Sequence, residues 1–343
     1  MASSQIKQIF KIILIISSIV SLYFVPWILV KAWILPLPNT VQTQLNEAVN
    51  HGLDGMIVYI DQAGEQPKTF TSGWHNKEKQ IPAKPDALFK IASINKLYTA
   101  VCLAKLVHQN KLDLEKTLAD YKPELIGKIE NTDKITLKMM VQHRSGIPNY
   151  TNTTNYWAHP PETGQGNLEL IFHKPASFAP DSNYEYSNTN YLLLSQIIEE
   201  ALGYSKFRFI TEEILTPLGL KNTFESVKNV DINDVMSGYH VGHLYDLKTD
   251  DYGIVATAEN VGIFLKAMNN GTLFGSKEEQ NIYTSIYEYK HSGWVPGYQS
   301  FAEYHKDIDA VIIQFNNTTD ADLLLWNLAQ IVNNRIVDIL EKE

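Results

Sequence analysis

The chain holds a single cysteine, Cys102, among its 343 residues. No internal disulfide can form, and the paired Cys/His spacings of a structural zinc site are missing. Within "YTAVCLAKLV" the thiol reads as a small buried apolar side chain. Grouped positive charge is missing too: 29 Lys and Arg stand against 38 Asp and Glu, a net charge of −9. Phosphate binding needs clustered Lys and Arg, which argues against nucleic acid as a partner. There is no internal repeat and no low-complexity segment. What remains is 44% hydrophobic and 20% charged, enough for a real core in one large domain or two intertwined ones.

The N-terminus stands apart. Ile12 to Val30 is a run of 19 uncharged residues, preceded by Lys7 and Lys11, with Tyr23, Trp27 and Trp33 towards its far end. About 20 apolar residues span a bilayer as a helix. Basic residues before the run and aromatics after it suggest an anchor with its N-terminus inside. The alternative is a cleaved signal sequence, but "VKAWILPLP" offers no small-residue cleavage site. The expectation is a single-pass anchor over residues 1–35, a linker over 36–44 with "LPLPNT" (Leu35 to Thr40) as its stiff start, and an extracytoplasmic body over 45–343.

In the body, residues 41–52 read as a helix, and "GMIVYI" and "KTFTSGW" as a hairpin-like pair of strands. Ser93 to Gln109 reads as a helix, with Leu97, Val101, Ala104 and Val107 at helical spacing. "TLKMMVQH", "TNYLLLSQIIEEALG" and "TAENVGIFLKAMNNG" are further helices, the second ended by Gly203 and the third capped by Thr257. "QNIYTSIYEYKH", "GYQSFAEYH" and "DAVIIQFNN" read as three strands, and residues 320–343 as a closing helix. Strands therefore lie at both ends with helices between. The predicted fold class is α+β: one antiparallel sheet built from N- and C-terminal strands and flanked by helices, with a mostly helical lobe inserted.

Ser93 and Lys96 lie three residues apart, on one helix face. Burial disfavours a charged lysine and lowers its pKa, and a neutral lysine can take the proton of a serine nucleophile. A serine at a helix start also gains a backbone N–H and a positive dipole end for a developing oxyanion. Alone, S-x-x-K is loose: Ser4 and Lys7 form a second copy, and an N-cap serine with a surface lysine explains the spacing equally well. Tyr186-Ser187-Asn188 precedes an apolar helix. A phenol near a cationic lysine can be pushed down to relay protons, and the amide can hold the lysine or a substrate carbonyl. A packing tyrosine and a capping asparagine are the plain alternative, and Tyr150-Thr151-Asn152 repeats the pattern. His291-Ser292-Gly293 opens a β-prone run where glycine permits close approach of a ligand and an edge strand can bind an extended acyl group. A hairpin turn is the alternative there, and His240-Val241-Gly242 is a second copy.

In order and context these segments resemble the serine β-lactamase-like hydrolases of the class C type, which include class C β-lactamases, D-alanyl-D-alanine carboxypeptidases and related esterases. Ser93-Ile94-Asn95-Lys96 matches the S-x-x-K motif, Tyr186-Ser187-Asn188 the Y-x-N motif, and His291-Ser292-Gly293 the third motif. "MMVQHRSGIPNY" and "GIVATAENVGIFLKAM" match further segments, and the resemblance runs from about residue 45 to the C-terminus. It implies an acylated Ser93, with Lys96 and Tyr186 as the proton-handling pair and either of them the base. Asn188 would position Lys96 and the substrate, and the N–H groups of Ser93 and Trp294 would form an oxyanion hole. No metal or cofactor is implied. The substrate would be a small molecule or a peptidoglycan-like peptide.

His291 departs from the lysine usual in class C β-lactamases. A mostly neutral histidine holds an anionic substrate less firmly. This favours a peptidase- or esterase-type hydrolase over a β-lactamase proper, with a catalytically silent binding module as a third reading. Tyr150, Tyr156, Trp157, Trp294 and Tyr298 are candidates for an acyl pocket, with core packing as the alternative.

Overall fold

The structure, a computed structural model, describes residues 2–342. The chain opens with helices α1 (Ala2–Tyr23), α2 (Trp27–Ile34) and α3 (Val41–Asn50). Strands β1 (Gly55–Gln62) and β2 (Lys68–Asn76) follow, then the short β3 (Ile81–Pro82) and β4 (Phe89–Lys90). A 3-10 turn at Ala92–Ile94 leads into α4 (Asn95–His108). The middle is mostly helical: α5 (Leu118–Tyr121), α6 (Leu137–Val141), α7 (Gly164–Glu169), α8 (Asn188–Leu202) and α9 (Lys206–Ile210). Three two-residue strands, β5 (Thr223–Phe224), β6 (Tyr239–His240) and β7 (Val255–Ala256), precede α10 (Ala258–Asn269) and α11 (Lys277–Ile286). The tail is β8 (His291–Val295), β9 (Tyr298–His305), β10 (Ala310–Asn316), β11 (Thr318–Thr319) and α12 (Leu324–Leu340).

The main sheet has the order β3-β2-β1-β10-β9-β8 and is antiparallel throughout. Its centre joins the two ends of the body, with Met56 opposite Asn316 and Tyr59 opposite Ile313. The α+β expectation, terminal strands in one sheet with a helical lobe between them, is met. "GMIVYI" is apolar at nearly every position because helices cover both faces of this strand. Ile57, Tyr59, Ile313 and Phe315 face the core shared with α4, α8 and α10. Met56, Val58, Ile60 and Ile312 face the smaller core beneath α2, α3 and α12.

Local signals set the helix ends. The Thr257 side chain accepts from Asn260 N at the start of α10, and Gly203 ends α8 in a left-handed conformation with φ +75°. One sequence expectation fails. "QNIYTSIYEYKH" is not a strand: residues up to Ile286 belong to α11, residues 287–290 are irregular, and only His291 lies in β8. The Ser276 side chain accepts from Glu279 N at 3.1 Å, and the Glu279 carboxylate pairs with buried Lys105 of α4 at 3.0 Å. Tyr283 and Ile286 bury on the same helix, so tertiary burial overrides β propensity.

The uncharged N-terminal run is interrupted. Gln5–Tyr23, 19 residues of mean hydropathy 1.7, is long and apolar enough to cross a bilayer. α1 stops at Tyr23, and Pro26 precedes α2, which packs against α12 and α3. Arg335 of α12 donates to the carbonyls of Leu35 and Pro36 and to Gln44 Oε1, all within 2.9 Å. "LPLP" is thereby tied to the body, and residues 41–44 are already helical.

Candidate active site

Ser93 sits in the turn between β4 and α4, one residue after an alanine in the left-handed region (Ala92, φ +49°). A non-glycine residue there costs about 1–3 kcal/mol, a strain that persists only where the surroundings enforce it. The enforcement is visible. Ser300 Oγ of β9 donates to Ile91 O at 3.0 Å, and β8 packs against the turn. Gly293 allows that packing: a Cβ there would stand 2.6 Å from Ile91 O and 2.5 Å from Ser300 Oγ.

Three sequence-distant side chains meet at the Ser93 oxygen. Lys96 Nζ lies 3.2 Å away on the first turn of α4, and the Tyr186 hydroxyl donates to Ser93 Oγ at 2.7 Å. Lys96 also reaches Asn188 Oδ1 at 2.7 Å and lies over the Tyr186 ring, 4.9 Å from its centroid. Lys96 is 7% exposed and faces no carboxylate, so burial pulls its pKa down to about 7. The expectation for the phenol is reversed: burial pushes Tyr186 up to about 12, outweighing its bond to Ser93, which pulls the other way. Tyr186 is therefore a neutral donor at rest.

Asn188, the first residue of α8, has its amide oriented by residues that the motif pattern did not single out. Its Nδ2 donates to Thr151 Oγ1 at 3.2 Å and to Asn149 Oδ1 at 3.4 Å, and its N–H to Asn149 Oδ1 at 3.1 Å. Thr151 belongs to the second Y-x-N copy, and that segment buttresses the first. His143 is a second support. Its Nδ1 accepts from Ser187 N at 3.1 Å, and its ring lies 4.5 Å from that of Tyr186. Burial, with Lys96 and His291 nearby, pushes His143 down to about 3 and keeps it a neutral acceptor. "MMVQHRSGIPNY" carries both His143 and Asn149, and that was the available signal.

The third segment forms the sheet edge beside them. His291 begins β8, with its ring stacked on Tyr287 and 6.3 Å from that of Tyr186. Burial first, and Lys96 second, push it down to about 4. It is a neutral ring here, and its Nδ1 lies 2.5 Å from Ser292 O. Ser292 pairs with Phe301 and Trp294 with Gln299 along β9. Of the five candidate pocket aromatics, four form a chain beside the edge: Tyr150–Tyr156 at 5.4 Å, Tyr156–Trp157 at 5.1 Å and Trp157–Trp294 at 5.5 Å. Tyr298 belongs to the core against Phe89, with its hydroxyl on Met236 O. The His240 of the second H-x-G copy is nearby too, with its ring 6.2 Å from that of Trp294.

A cavity of about 380 Å³ opens against this group, lined by His143, Arg144, Tyr184, Tyr186, Tyr287 and His291 among others. A wider groove of about 730 Å³ lies away from it, between Lys122 and Tyr204, with no activated nucleophile. Cys102 is fully buried, as expected, and burial pushes its thiol up to about 12.

Comparison with known proteins places the chain in a family. The chain is 28% identical over 207 residues to Penicillin-binding protein 4* of Bacillus subtilis (strain 168), covering 59% of this chain and 44% of that one. It is 26% identical over 193 residues to Protein flp of Staphylococcus aureus (strain MW2), covering 54% and 39%. The aligned part is thus less than half of either relative's length. Among solved structures, D-amino acid amidase from Ochrobactrum anthropi SV3 complexed with L-phenylalanine shares the fold with a TM-score of 0.78 at 21% identity, over 88% of this chain and 98% of that one. Penicillin binding protein from Bacillus halodurans does so with a TM-score of 0.72 at 18% identity, over 87% and 99%. The profile of one family, Beta-lactamase, matches residues 41–285, from the first helix of the body through the S-x-x-K and Y-x-N segments, and the chain belongs to that family.

Proposed function

We propose that the chain is a membrane-anchored serine hydrolase that works through a covalent acyl-enzyme on ester or amide carbonyls, including D-Ala-type peptides. The observation that carries this is the meeting of Lys96 and Tyr186 on the oxygen of Ser93, at 3.2 and 2.7 Å. Neutral Lys96 takes the Ser93 proton as Oγ attacks the carbonyl carbon. The N–H groups of Ser93 and Trp294 hold the oxyanion. The bond to the leaving group breaks as that group gains a proton from Tyr186, replaced in turn from Lys96, and Ser93 is left as an ester. Water, deprotonated by the same pair, cleaves the ester and frees the serine.

The neutral His291 sets the preference among substrates. With its pKa down near 4, it offers no positive charge to a substrate carboxylate at pH 7. Uncharged esters and amides are then favoured over anionic β-lactams and over D-Ala-type peptides that end in a free carboxylate, and the fold shared with a D-amino acid amidase supports amides among them. The connected serine, lysine and tyrosine speak against a silent binding module. The helix over Gln5–Tyr23 supports an anchor, with the body outside the cytoplasm.

Labelling with a fluorophosphonate or a penicillin, read as a mass shift, tests the assignment. The wild type gains one adduct and Ser93→Ala none; labelling retained in that variant refutes the acyl-enzyme. A panel of short-chain esters, D-amino acid amides, D-Ala-D-Ala peptides and nitrocefin then ranks the substrates. Nitrocefin turnover matching ester turnover would favour a β-lactamase proper.

A further inference from the structure

Helix α2 is apolar all round, although it lies on the outside of the body. Ala32 is 5% exposed, and with Ile28 and Leu29 it packs onto Leu325, Leu328 and their neighbours. The opposite face carries Trp27, Trp33 and Ile34, which are 49%, 76% and 65% exposed. The one charge on the helix is Lys31, whose long stem lets an ammonium reach water from an apolar surface. A helix that is hydrophobic on every side is a buried helix, so the outward face calls for a covering. What covers it follows from what precedes it. Tyr23 and Phe24, both more than three-quarters exposed, end the helix that is long enough to span a bilayer, only a turn before α2 begins. Tryptophan and tyrosine at the end of a span are residues of the lipid headgroup zone.

We propose that the outward face of α2 is seated in the headgroup region of the bilayer, so that the catalytic body is docked on the membrane surface in one orientation. The proposal rests on the reading of α1 as an anchor. The orientation follows from the clamp and the layers. Arg335 binds the carbonyls of Leu35 and Pro36, so the segment after α2 cannot swing freely. α2 lies with α3 and α12 on one face of the sheet, while α4 and the Ser93 turn lie on the other. At about 10 Å per packed layer, the reaction centre stands about 20 Å from α2, on the side facing away from lipid. The substrates such a placement suits are soluble or wall-like, not membrane-embedded.

Spin labels on single-cysteine variants of the full chain, with buried Cys102 changed to alanine, in phosphatidylglycerol/phosphatidylethanolamine vesicles test this. A label at Trp33→Cys should be relaxed more by oxygen than by a water-soluble nickel chelate, as should one at Ile15→Cys in α1. A label at Lys228→Cys, an exposed position in the connection between β5 and β6, should show the reverse. If Trp33→Cys matches Lys228→Cys while Ile15→Cys reports lipid, α1 spans the bilayer, α2 stands in water and the docking is overturned. If Ile15→Cys also reports water, the anchor itself is wrong and the docking falls with it.

Discussion

Lys96 stands closer to Asn188 than to the serine it would deprotonate, at 2.7 Å from Oδ1 against 3.2 Å from Ser93 Oγ. The carboxamide is turned with its oxygen towards the lysine because Thr151 and Asn149 take its N–H groups. A neutral carbonyl holds an ammonium in place without stabilising its charge as a carboxylate would. The lysine is thus fixed in position while its pKa stays near neutrality.

Asn188→Asp tests this directly. A carboxylate at that distance favours the charged lysine, so the acid limb of the kcat/KM profile should move up by about one unit or more, and activity at pH 7 should fall about tenfold, recovering towards pH 9. A pH–rate profile reads it. An unshifted limb would show that Lys96 does not set the rate.

In the wild type, kcat/KM should rise with pH through about 7, as Lys96 loses its proton, and then level off, since Tyr186 near 12 titrates far above. Stability carries the same signature. The folded lysine is lowered from its usual 10.5, so between about 7 and that value the unfolded chain binds the extra proton and stability rises with pH. Relative to Lys96→Met, the wild type should therefore gain stability from pH 7 to 10, by at most ~1.4 kcal/mol per unit. Denaturant midpoints for the two proteins measure the difference; a constant gap would mean the lysine is charged in the folded state.

His291→Lys should raise acylation by penicillins relative to a neutral ester about tenfold, equivalent to ~1.4 kcal/mol of carboxylate recognition. The added cation should also lower the acid limb, because a positive charge at this position disfavours a second one on nearby Lys96. Competition between a fluorescent penicillin and an ester substrate measures the ratio. No change in it would remove the charge argument for substrate preference.

Gly293→Ala pushes a methyl against Ile91 O and Ser300 Oγ, so β8 must retreat from the Ser93 turn. Overpacking of this kind costs about 1–3 kcal/mol, while misplacing the edge by about 1 Å costs turnover about a hundredfold. Thermal melts and kcat should separate the two effects, with the folded variant losing far more rate than stability. Full activity would mean the sheet edge does not shape the site.

The candidate group was legible in the order and context of its segments, since Ser93 with Lys96 and Tyr186 with Asn188 are each loose patterns that recur elsewhere in the chain. The supports were harder to see, since an acceptor such as His143 or Asn149 has no spacing rule and is recognised only when the backbone N–H it accepts is in view. The sheet was legible in its apolar runs. α11 was not, because Ile282, Tyr283 and Thr284 are good strand residues. Ser276 with Glu279 three residues on was the helix-start signal that outweighs them. Pro26 likewise marked the break between α1 and α2, where a count of uncharged residues alone ran straight through.

The central pairing of Met56 with Asn316 has a bearing on biosynthesis. The β1–β2 hairpin leaves the ribosome early, with one edge of β1 unfilled until nearly the whole polypeptide has been made. Such long-range closure is slow, and an open strand edge invites pairing with other chains. The Ser93 turn also waits for the sheet edge that packs on it, which arrives only with residues 291–295. A nascent or truncated product without these residues would lack the sheet edge beside Ser93, so the proposed reaction centre is complete only when β8 has joined the sheet.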